Sequence, residues 1–153
     1  MNEHSLVLVL DNIRSTLNVG AILRTADAVL VDRVYLCGIT ATPKHPKVTK
    51  TSLGAEKYID WKYQKSTFSL LKKLKDEGYQ IIGLEINSEA VNYWKTNYSN
   101  QVALVIGNEI TGIDKKILNY CNQIVQIPMF GKKESLNVAT ATGIAVYEIV
   151  RQW

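Results

Sequence analysis

The amino-acid sequence predicts an α/β fold, in which a mainly parallel sheet carries helices on both faces. Short apolar runs alternate along the 153 residues with segments whose apolar residues recur at helical spacing. That alternation is typical of strands joined by helical crossovers, which make neighbouring strands parallel. Several of the runs are almost continuously apolar, as strands buried on both faces of a sheet are.

The first half of the chain contains three predicted strands. The run SLVLVL (residues 5–10) predicts the first strand, and Asn18–Leu30 predicts a helix with Asn18 as its N-cap. The second strand is predicted at RVYLCG (residues 33–38). A loop rich in Thr, Pro and Lys is expected to about Leu53, followed by a short helical segment SLGAEK and a third strand at IDWKY.

The second half continues the same alternation. Ser66–Gly78 predicts an amphipathic helix with a Ser cap and a terminating Gly. Strands are predicted at 79–86, 101–107 and 123–128, and residues 88–100 are expected to be irregular. Two more helices are predicted, near 113–120 and over 134–153.

Ligands of parallel sheets bind beyond the carboxyl ends of the strands, so the loops there are the candidate site. Those loops are predicted at Asp11–Asn18, Leu84–Asn87, Gly107–Gly112 and Pro128–Ser135. No segment matches the P-loop pattern, and no G-x-G-x-x-G follows the first strand, so two common nucleotide signatures are absent.

Polar residues remain in or beside these loops, and several of them also have a purely structural explanation, although Asn137 does not. Arg24 fits an amphipathic helix whose arginine head lies in water. Gly107 and Gly112 fit a simple turn, or a close approach of a ligand to the backbone, with Glu109 orienting a cation such as Arg24. Ser135 fits a helix N-cap. The full set is Asn12, Asn18, Arg24, Asn108, Glu109, Ser135 and Asn137.

The charge distribution fits two explanations, an anionic partner and a solvated surface. The chain has 18 basic and 14 acidic residues, for a net charge of +4. Clustered lysines suit a phosphate backbone, and a solvated face explains them equally well. These lysines are Lys44, Lys47, Lys50, Lys132 and Lys133.

The histidines and cysteines argue against a metal site or a His-based triad. His4 and His45 are the only histidines, and Cys37 and Cys121 are isolated in sequence. Unpaired cysteines favour a reducing, cytoplasmic setting. No apolar stretch approaches the length of a membrane span, and the N-terminal run is too short for a signal peptide.

Three segments, taken together, resemble the motifs of the SpoU/TrmH family of RNA ribose 2′-O-methyltransferases, within the SPOUT class. The first follows the pattern NxxxxxNxGxxxRxA and contains Asn12, Asn18, Gly20, Arg24 and Ala26. The second is IGNEITG and the third is IPMFGKKESLNVATATGIAVYE. TPKHPKVTKTSLGAE is also similar to members of the family. The match covers nearly the whole chain, with order and spacing intact.

The resemblance implies a fold, a cofactor and a quaternary structure. The family fold ends in a deep C-terminal trefoil knot, whose loops hold S-adenosylmethionine, and the family acts as a homodimer with a shared active site. We expect a single domain over residues 1–153, without an appended RNA-binding domain. Carried onto this chain, cofactor contacts would come from Leu84, Glu85, Gly107, Ile127, Met129, Ser135, Leu136 and Asn137.

The resemblance also implies methyl transfer to a ribose 2′-hydroxyl of tRNA or rRNA. Arg24 would be the central catalytic residue, gripping a phosphate rather than acting as a base, because a guanidinium stays protonated at neutral pH. The other implied catalytic residues are Asn18, Glu109, Ser135 and Asn137. Two alternatives stay open: a SPOUT methyltransferase that acts on a base, and an RNA-binding protein without catalysis.

Overall fold

Seven parallel strands form one sheet in a computed structural model, which describes residues 3–153. The strands are β1 (Ser5–Asp11), β2 (Arg33–Cys37), β3 (Trp61–Gln64), β4 (Gln80–Leu84), β5 (Val91–Asn92), β6 (Gln101–Ile106) and β7 (Gln123–Gln126). Their order across the sheet is β3-β2-β1-β6-β4-β7-β5, and every neighbouring pair is parallel. The predicted α/β class is confirmed.

Five helices cover the sheet, and the side chains of each strand divide between two cores. The helices are α1 (Thr16–Ala28), α2 (Pro46–Ser52), α3 (Thr67–Asp76), α4 (Lys115–Tyr120) and α5 (Val138–Gln152). In β1, Leu6, Leu8 and Leu10 pack on the face that includes residues of α1 and α5. Val7 and Val9 point to the opposite core, which includes residues of α3 and α4. This alternation explains why β1 is apolar on both faces.

Two helix starts differ from the prediction. Helix α1 is capped by Ser15, whose Oγ accepts a hydrogen bond from the Asn18 backbone N–H at 3.2 Å, so Asn18 is not the cap. Helix α5 begins at Val138 and not at residue 134, and its cap is Asn137 rather than Ser135. The Asn137 Oδ1 accepts from the backbone N–H groups of Ala139 and Thr140, which are free donors of the first helical turn.

Two short elements were also missed. The predicted loop before Leu53 contains α2, where His45 Nδ1 accepts a hydrogen bond from the Lys47 N–H and Pro46 occupies the first turn. The segment predicted to be irregular contains β5, which pairs with β7 at the sheet edge. Helix α2 packs closely on α1 at Gly20, where a Cβ would collide with the Thr51 side chain and the Val48 carbonyl. Tertiary packing therefore specifies α2 more than its local sequence does.

No helix among residues 3–153 has the length and apolar character that crossing a membrane requires. Both cysteines are free thiols, Cys37 buried and Cys121 partly buried.

Candidate active site

A cavity of about 850 Å³ lies at the carboxyl ends of β1, β4, β6 and β7. Its walls come from all four of the predicted site loops together with the first turns of α1 and α5. The polar and charged lining residues are Arg14, Ser15, Asn18, Glu85, Asn108, Glu109, Gln126, Glu134, Ser135 and Asn137. Its volume falls in the range of small-molecule sites, roughly 300–1,000 Å³.

Glu109 stabilises the turn that leads from β1 into α1 by two hydrogen bonds to its backbone. Its Oε2 accepts a hydrogen bond from the Arg14 backbone N–H at 2.8 Å, and its Oε1 accepts one from the Ser15 N–H at 3.0 Å. These backbone donors precede the first helical residue and would otherwise need water as a partner. A carboxylate from the loop after β6 thus positions the start of a helix that lies more than 90 residues earlier in the chain.

A chain of side-chain hydrogen bonds joins the three motif segments at this cavity. The Asn18 Nδ2 donates to Glu109 Oε1 at 3.0 Å. In turn, the Asn137 Nδ2 donates to Asn18 Oδ1 at 3.2 Å, across 119 residues of sequence. Because Asn137 Oδ1 also caps α5, its amide is held at both ends. The structure therefore places Asn18, Glu109 and Asn137 in contact, and it places Ser135 in the lining of the same cavity.

The hydrogen bonds also keep Glu109 ionised. Partial burial opposes the charged form, but the N–H groups of Arg14, Asn18 and Ser15 together lower the pKa of Glu109 below its ordinary value. An ionised carboxylate accepts all three bonds without itself donating.

The loop between β6 and α4 is shaped by its own residues. Asn108 Oδ1 accepts from the N–H groups of Ile110 and Thr111, and its Nδ2 donates to the Asn12 carbonyl. A Cβ at Gly107 would lie 2.5 Å from the Gly112 carbonyl carbon and from the Ile113 nitrogen. The turn itself therefore requires Gly107, which agrees with the first of the two predicted explanations, a simple turn, rather than with the approach of a ligand.

The predicted cofactor-contacting residues all line the cavity. Apolar side chains supply much of its wall, among them Leu84, Ile127, Met129 and Leu136. The Glu85 carboxylate already has a partner within the protein, because its Oε2 accepts a hydrogen bond from the Ile113 N–H at 2.7 Å. The small residues at the start of α5 divide between two tasks. Ala141 lines the cavity, and a Cβ added at Gly143 would meet the Thr25 side chain of α1 at an ordinary contact distance.

Arg24 lies elsewhere. It is exposed on α1 and lines a second, shallower cavity of about 520 Å³ with Lys50, Leu53 and Tyr147. Among the described residues no ion pair or hydrogen bond joins it to Glu109, whose partners are Arg14, Ser15 and Asn18. Within one chain, the prediction that Glu109 orients Arg24 is wrong. The Glu109 carboxylate instead accepts hydrogen bonds from backbone and amide N–H groups.

Sequence reasoning missed Arg14, Ser15 and Glu134 as lining residues. All three lie in loops that the sequence predicted to form the site. Their position after the ends of the strands is therefore the signal that could have identified them. The predicted lysines are exposed, with Lys47 and Lys50 on α2 and Lys132 and Lys133 in the loop after β7. Lys44 is exposed before α2. Asn12 is structural, since its Oδ1 accepts the Ile39 N–H.

Comparison with protein families gives one match across almost the whole chain. The model of the SpoU rRNA Methylase family matches residues 5–147, which include every segment of the cavity. The chain belongs to the SpoU rRNA Methylase family. The resemblance of the three motifs to this family is confirmed.

Methyltransferases from two bacteria are similar to this chain over almost its whole length. The tRNA (guanosine(18)-2′-O)-methyltransferase of Aquifex aeolicus is 34% identical over 151 residues, which are 98% of this chain and 71% of that protein. The 23S rRNA (guanosine-2′-O-)-methyltransferase RlmB of Neisseria meningitidis is 34% identical over 152 residues, covering 99% of this chain. This chain spans 60% of that relative's length.

A solved methyltransferase structure shares the fold of this chain. The AdoMet-bound rRNA methyltransferase from Sinorhizobium meliloti superposes with a TM-score of 0.90 at 28% sequence identity. The match covers 96% of this chain and 56% of that one. The chain that contains this cavity therefore shares its fold with a solved methyltransferase structure.

Proposed function

We propose that this protein transfers a methyl group from S-adenosylmethionine to a ribose 2′-hydroxyl of RNA. The observation that carries the proposal is the hydrogen-bonded set of Asn18, Glu109 and Asn137 at the cavity of a SpoU family member. Relatives named as tRNA and 23S rRNA 2′-O-methyltransferases align with the chain over almost all of its length. These names support tRNA or rRNA as the substrate class.

The cavity fits S-adenosylmethionine by size and chemistry. Apolar walls suit the faces of an adenine ring, and the irregular backbone at 127–137 offers N–H and C=O groups to its edge. Three lining carboxylates, Glu85, Glu109 and Glu134, suit a cationic sulfonium. We propose that Leu84, Glu85, Gly107, Ile127, Met129 and residues 135–137 hold the cofactor. When bound, it supplies an electrophilic methyl group.

The protein's own residues then act by positioning. Holding a hydroxyl at about 3–3.5 Å from the methyl carbon supplies much of the rate enhancement in such a displacement. Asn18 is fixed by Glu109 and Asn137, so its amide is pre-oriented toward the ribose. Ser135 closes the cavity beside Asn137. With the cofactor bound, the new C–O bond would form as the methyl–sulfur bond breaks, which would leave a neutral thioether, and the hydroxyl proton would pass to solvent.

Arg24 takes part only if a second copy of the chain supplies it. It lies outside the cavity of its own chain, in a shallow cavity whose wall also includes the exposed Leu53 at the end of α2 and Tyr147 of α5. Exposed apolar side chains of this kind suit a self-complementary dimer contact. We propose a homodimer in which Arg24 of one copy reaches the other copy's cavity and stabilises the developing alkoxide.

The proposal includes a C-terminal trefoil knot. Its support is the strand order, in which β4 lies between β6 and β7 although the chain runs directly from β6 through α4 to β7. The following segment passes the cavity and returns in α5 to pack against α1. Lys44, Lys47, Lys50, Lys132 and Lys133 form the proposed RNA-facing surface, and two free thiols suit the cytoplasm.

The test uses the full chain, S-adenosylmethionine and total RNA from cells that lack the gene. After incubation, the RNA is digested to nucleosides and mass spectrometry locates the methyl groups. We expect a 2′-O-methylated nucleoside that is missing from the untreated RNA.

Each alternative has its own outcome, one in this assay and one in calorimetry. Methylation found on a base would show that the protein acts on a nitrogen or carbon. RNA binding without any heat of S-adenosylmethionine binding in calorimetry would show a non-catalytic RNA-binding protein.

A further inference from the structure

Arg14 is the only basic side chain in the lining of the main cavity, as far as residues 3–153 show. It lies in the turn between β1 and α1 and is exposed to solvent. The lysines of the proposed RNA surface and Arg24 do not line this cavity. Among the residues that the structure describes, Arg14 therefore offers an anionic group of a ligand the one cationic side chain in the wall of this cavity.

The backbone of Arg14 is held in place by its surroundings. Its N–H donates to Glu109 Oε2 at 2.8 Å, and the next N–H, of Ser15, donates to the other oxygen of the same carboxylate. Ser15 then caps α1. A guanidinium on a turn fixed at both sides loses less freedom on binding a ligand than one on a mobile loop.

The charge of Arg14 is not used by the protein itself. The described part of the chain has ion pairs at Arg33–Asp60, Lys73–Glu77 and Arg151–Glu148, and none involves Arg14. Two of the carboxylates that line the cavity are committed to backbone donors: Glu85 to the Ile113 N–H, and Glu109 to the Arg14 and Ser15 N–H groups. A free guanidinium beside satisfied carboxylates is available to an incoming anion.

We propose that Arg14 binds a phosphate of the RNA strand next to the target ribose. The inference rests on the proposed function and adds a phosphate-binding position within the same chain, separate from Arg24. Arg14 is exposed, whereas Ile106 and Gly107 of the same cavity are buried. Arg14 therefore lies at the side of the cavity that is open to solvent, from which an RNA strand would enter. The planar, two-pronged donor set of arginine matches phosphate oxygens.

The carboxylate of S-adenosylmethionine offers the same anionic oxygen chemistry, and two measurements separate these sources. The first is the Kd for S-adenosylmethionine by calorimetry. The second is KM and kcat for methylation of total RNA from cells that lack the gene. For Arg14→Ala we expect KM for RNA to rise about 10- to 100-fold, with the cofactor Kd unchanged within about twofold.

The variant series includes a conservative change and a matched control. Arg14→Lys keeps the charge without the two-pronged geometry and should recover part of the lost RNA affinity. Lys73→Ala removes one exposed charge from α3, on the other face of the sheet, and should leave KM unchanged. In Arg14→Ala the slope of log K for RNA binding against log salt should fall by about 0.7, the value for one phosphate contact on a single strand.

Two results would overturn the proposal, and a third would show that the proposed function is wrong. A tenfold weaker cofactor Kd with normal KM would assign Arg14 to the cofactor's carboxylate. Unchanged KM, Kd and salt slope would show that Arg14 binds no anion. If the wild-type protein methylates no RNA, the proposed function is wrong. In that case RNA binding still tests Arg14, because a salt slope that is unchanged in Arg14→Ala would show that Arg14 binds no phosphate.

Discussion

At the scale of single residues, Asp11 is the one acidic side chain that is almost fully buried in the described part of the chain. It ends β1, and the Thr67 hydroxyl donates to its Oδ1 at 2.5 Å. Burial raises the pKa of Asp11 above 3.8, the Thr67 hydrogen bond opposes that rise, and the nearby charge of Asp114 adds to it. The ionised form is therefore less favourable in the folded protein than in the unfolded chain.

This raised pKa makes stability depend on pH. The folded state binds the Asp11 proton more tightly than the unfolded chain, so this contribution to stability is lost as the pH rises from about 3.8 through the folded pKa. Asp11→Asn has no such titration. We expect the difference in urea midpoint, mutant minus wild type, to increase with pH across this window and then level off.

Thr67→Val provides the matched comparison for Asp11. Loss of the hydroxyl removes the bond that favours the charged form, so the pKa of Asp11 should rise further and the pH window should move upward. A mutant-minus-wild-type difference for Asp11→Asn that stays constant with pH would show that Asp11 does not titrate in this range.

Gly107 gives a second prediction at the residue scale. An added Cβ would lie 2.5 Å from two backbone atoms of the following turn, and backbone cannot move aside as a flexible side chain can. We expect Gly107→Ala to reduce the free energy of unfolding by about 1–3 kcal/mol, as overpacking does. At Gly131 an added Cβ meets no atom within 4 Å, so Gly131→Ala should change stability by less than about 0.5 kcal/mol. Equal urea midpoints for the two variants would contradict the steric argument.

At the scale of secondary-structure elements, the start of α5 separates two neighbouring polar residues. Asn137 accepts two backbone N–H groups, whereas Ser135 has no such contact and is only part of the cavity wall. We expect Asn137→Ala to lower stability by about 1 kcal/mol, the usual cost of losing an N-cap. Ser135→Ala should leave the melting temperature almost unchanged. A larger loss of stability in Ser135→Ala would place the cap at the earlier residue.

Helix α2 shows where local sequence was insufficient. The residues Pro46–Ser52 have no apolar periodicity, with Val48 the only fully buried hydrophobic side chain. The helix forms because Gly20 lets it approach α1 and because the Thr51 hydroxyl donates to the Leu17 carbonyl at 2.8 Å. Contacts from another helix, which a sequence window does not contain, stabilise it.

At the scale of the whole molecule, the proposed dimer can be tested by mixing two inactive variants. Arg24→Ala removes the residue that would be supplied to the partner, and Asn18→Ala removes one from the cavity of its own chain. A mixed dimer would hold one cavity with both wild-type residues. Because random mixing makes half the dimers mixed and each has one intact site, we expect about one quarter of wild-type activity.

The mixing experiment also distinguishes the two ways of building the site. The readout is methyl incorporation into RNA after the two variants are unfolded and refolded together, with each variant alone as the control. Activity that stays at the level of the single variants would show that Arg24 acts within its own chain or does not act at all.

The sequence by itself determined six of the seven strands, the position of the cavity and the family. Apolar runs such as Ser5–Leu10 specify buried strands wherever they occur, because burial of their side chains needs no particular partner. The loops at the strand ends follow from the parallel order, and the motif residues Asn18, Glu109 and Asn137 were all found in them or beside them.

Only the tertiary structure decided how those residues are connected. Glu109 binds the N–H groups of Arg14 and Ser15, and every residue except proline offers such a donor, so no residue type could have indicated this pairing. Arg24 and Arg14 are both arginines in the first motif segment, yet one faces the shallow cavity and the other lines the main one. That difference depends on the direction in which the turn enters α1, which is set by a carboxylate 95 residues away.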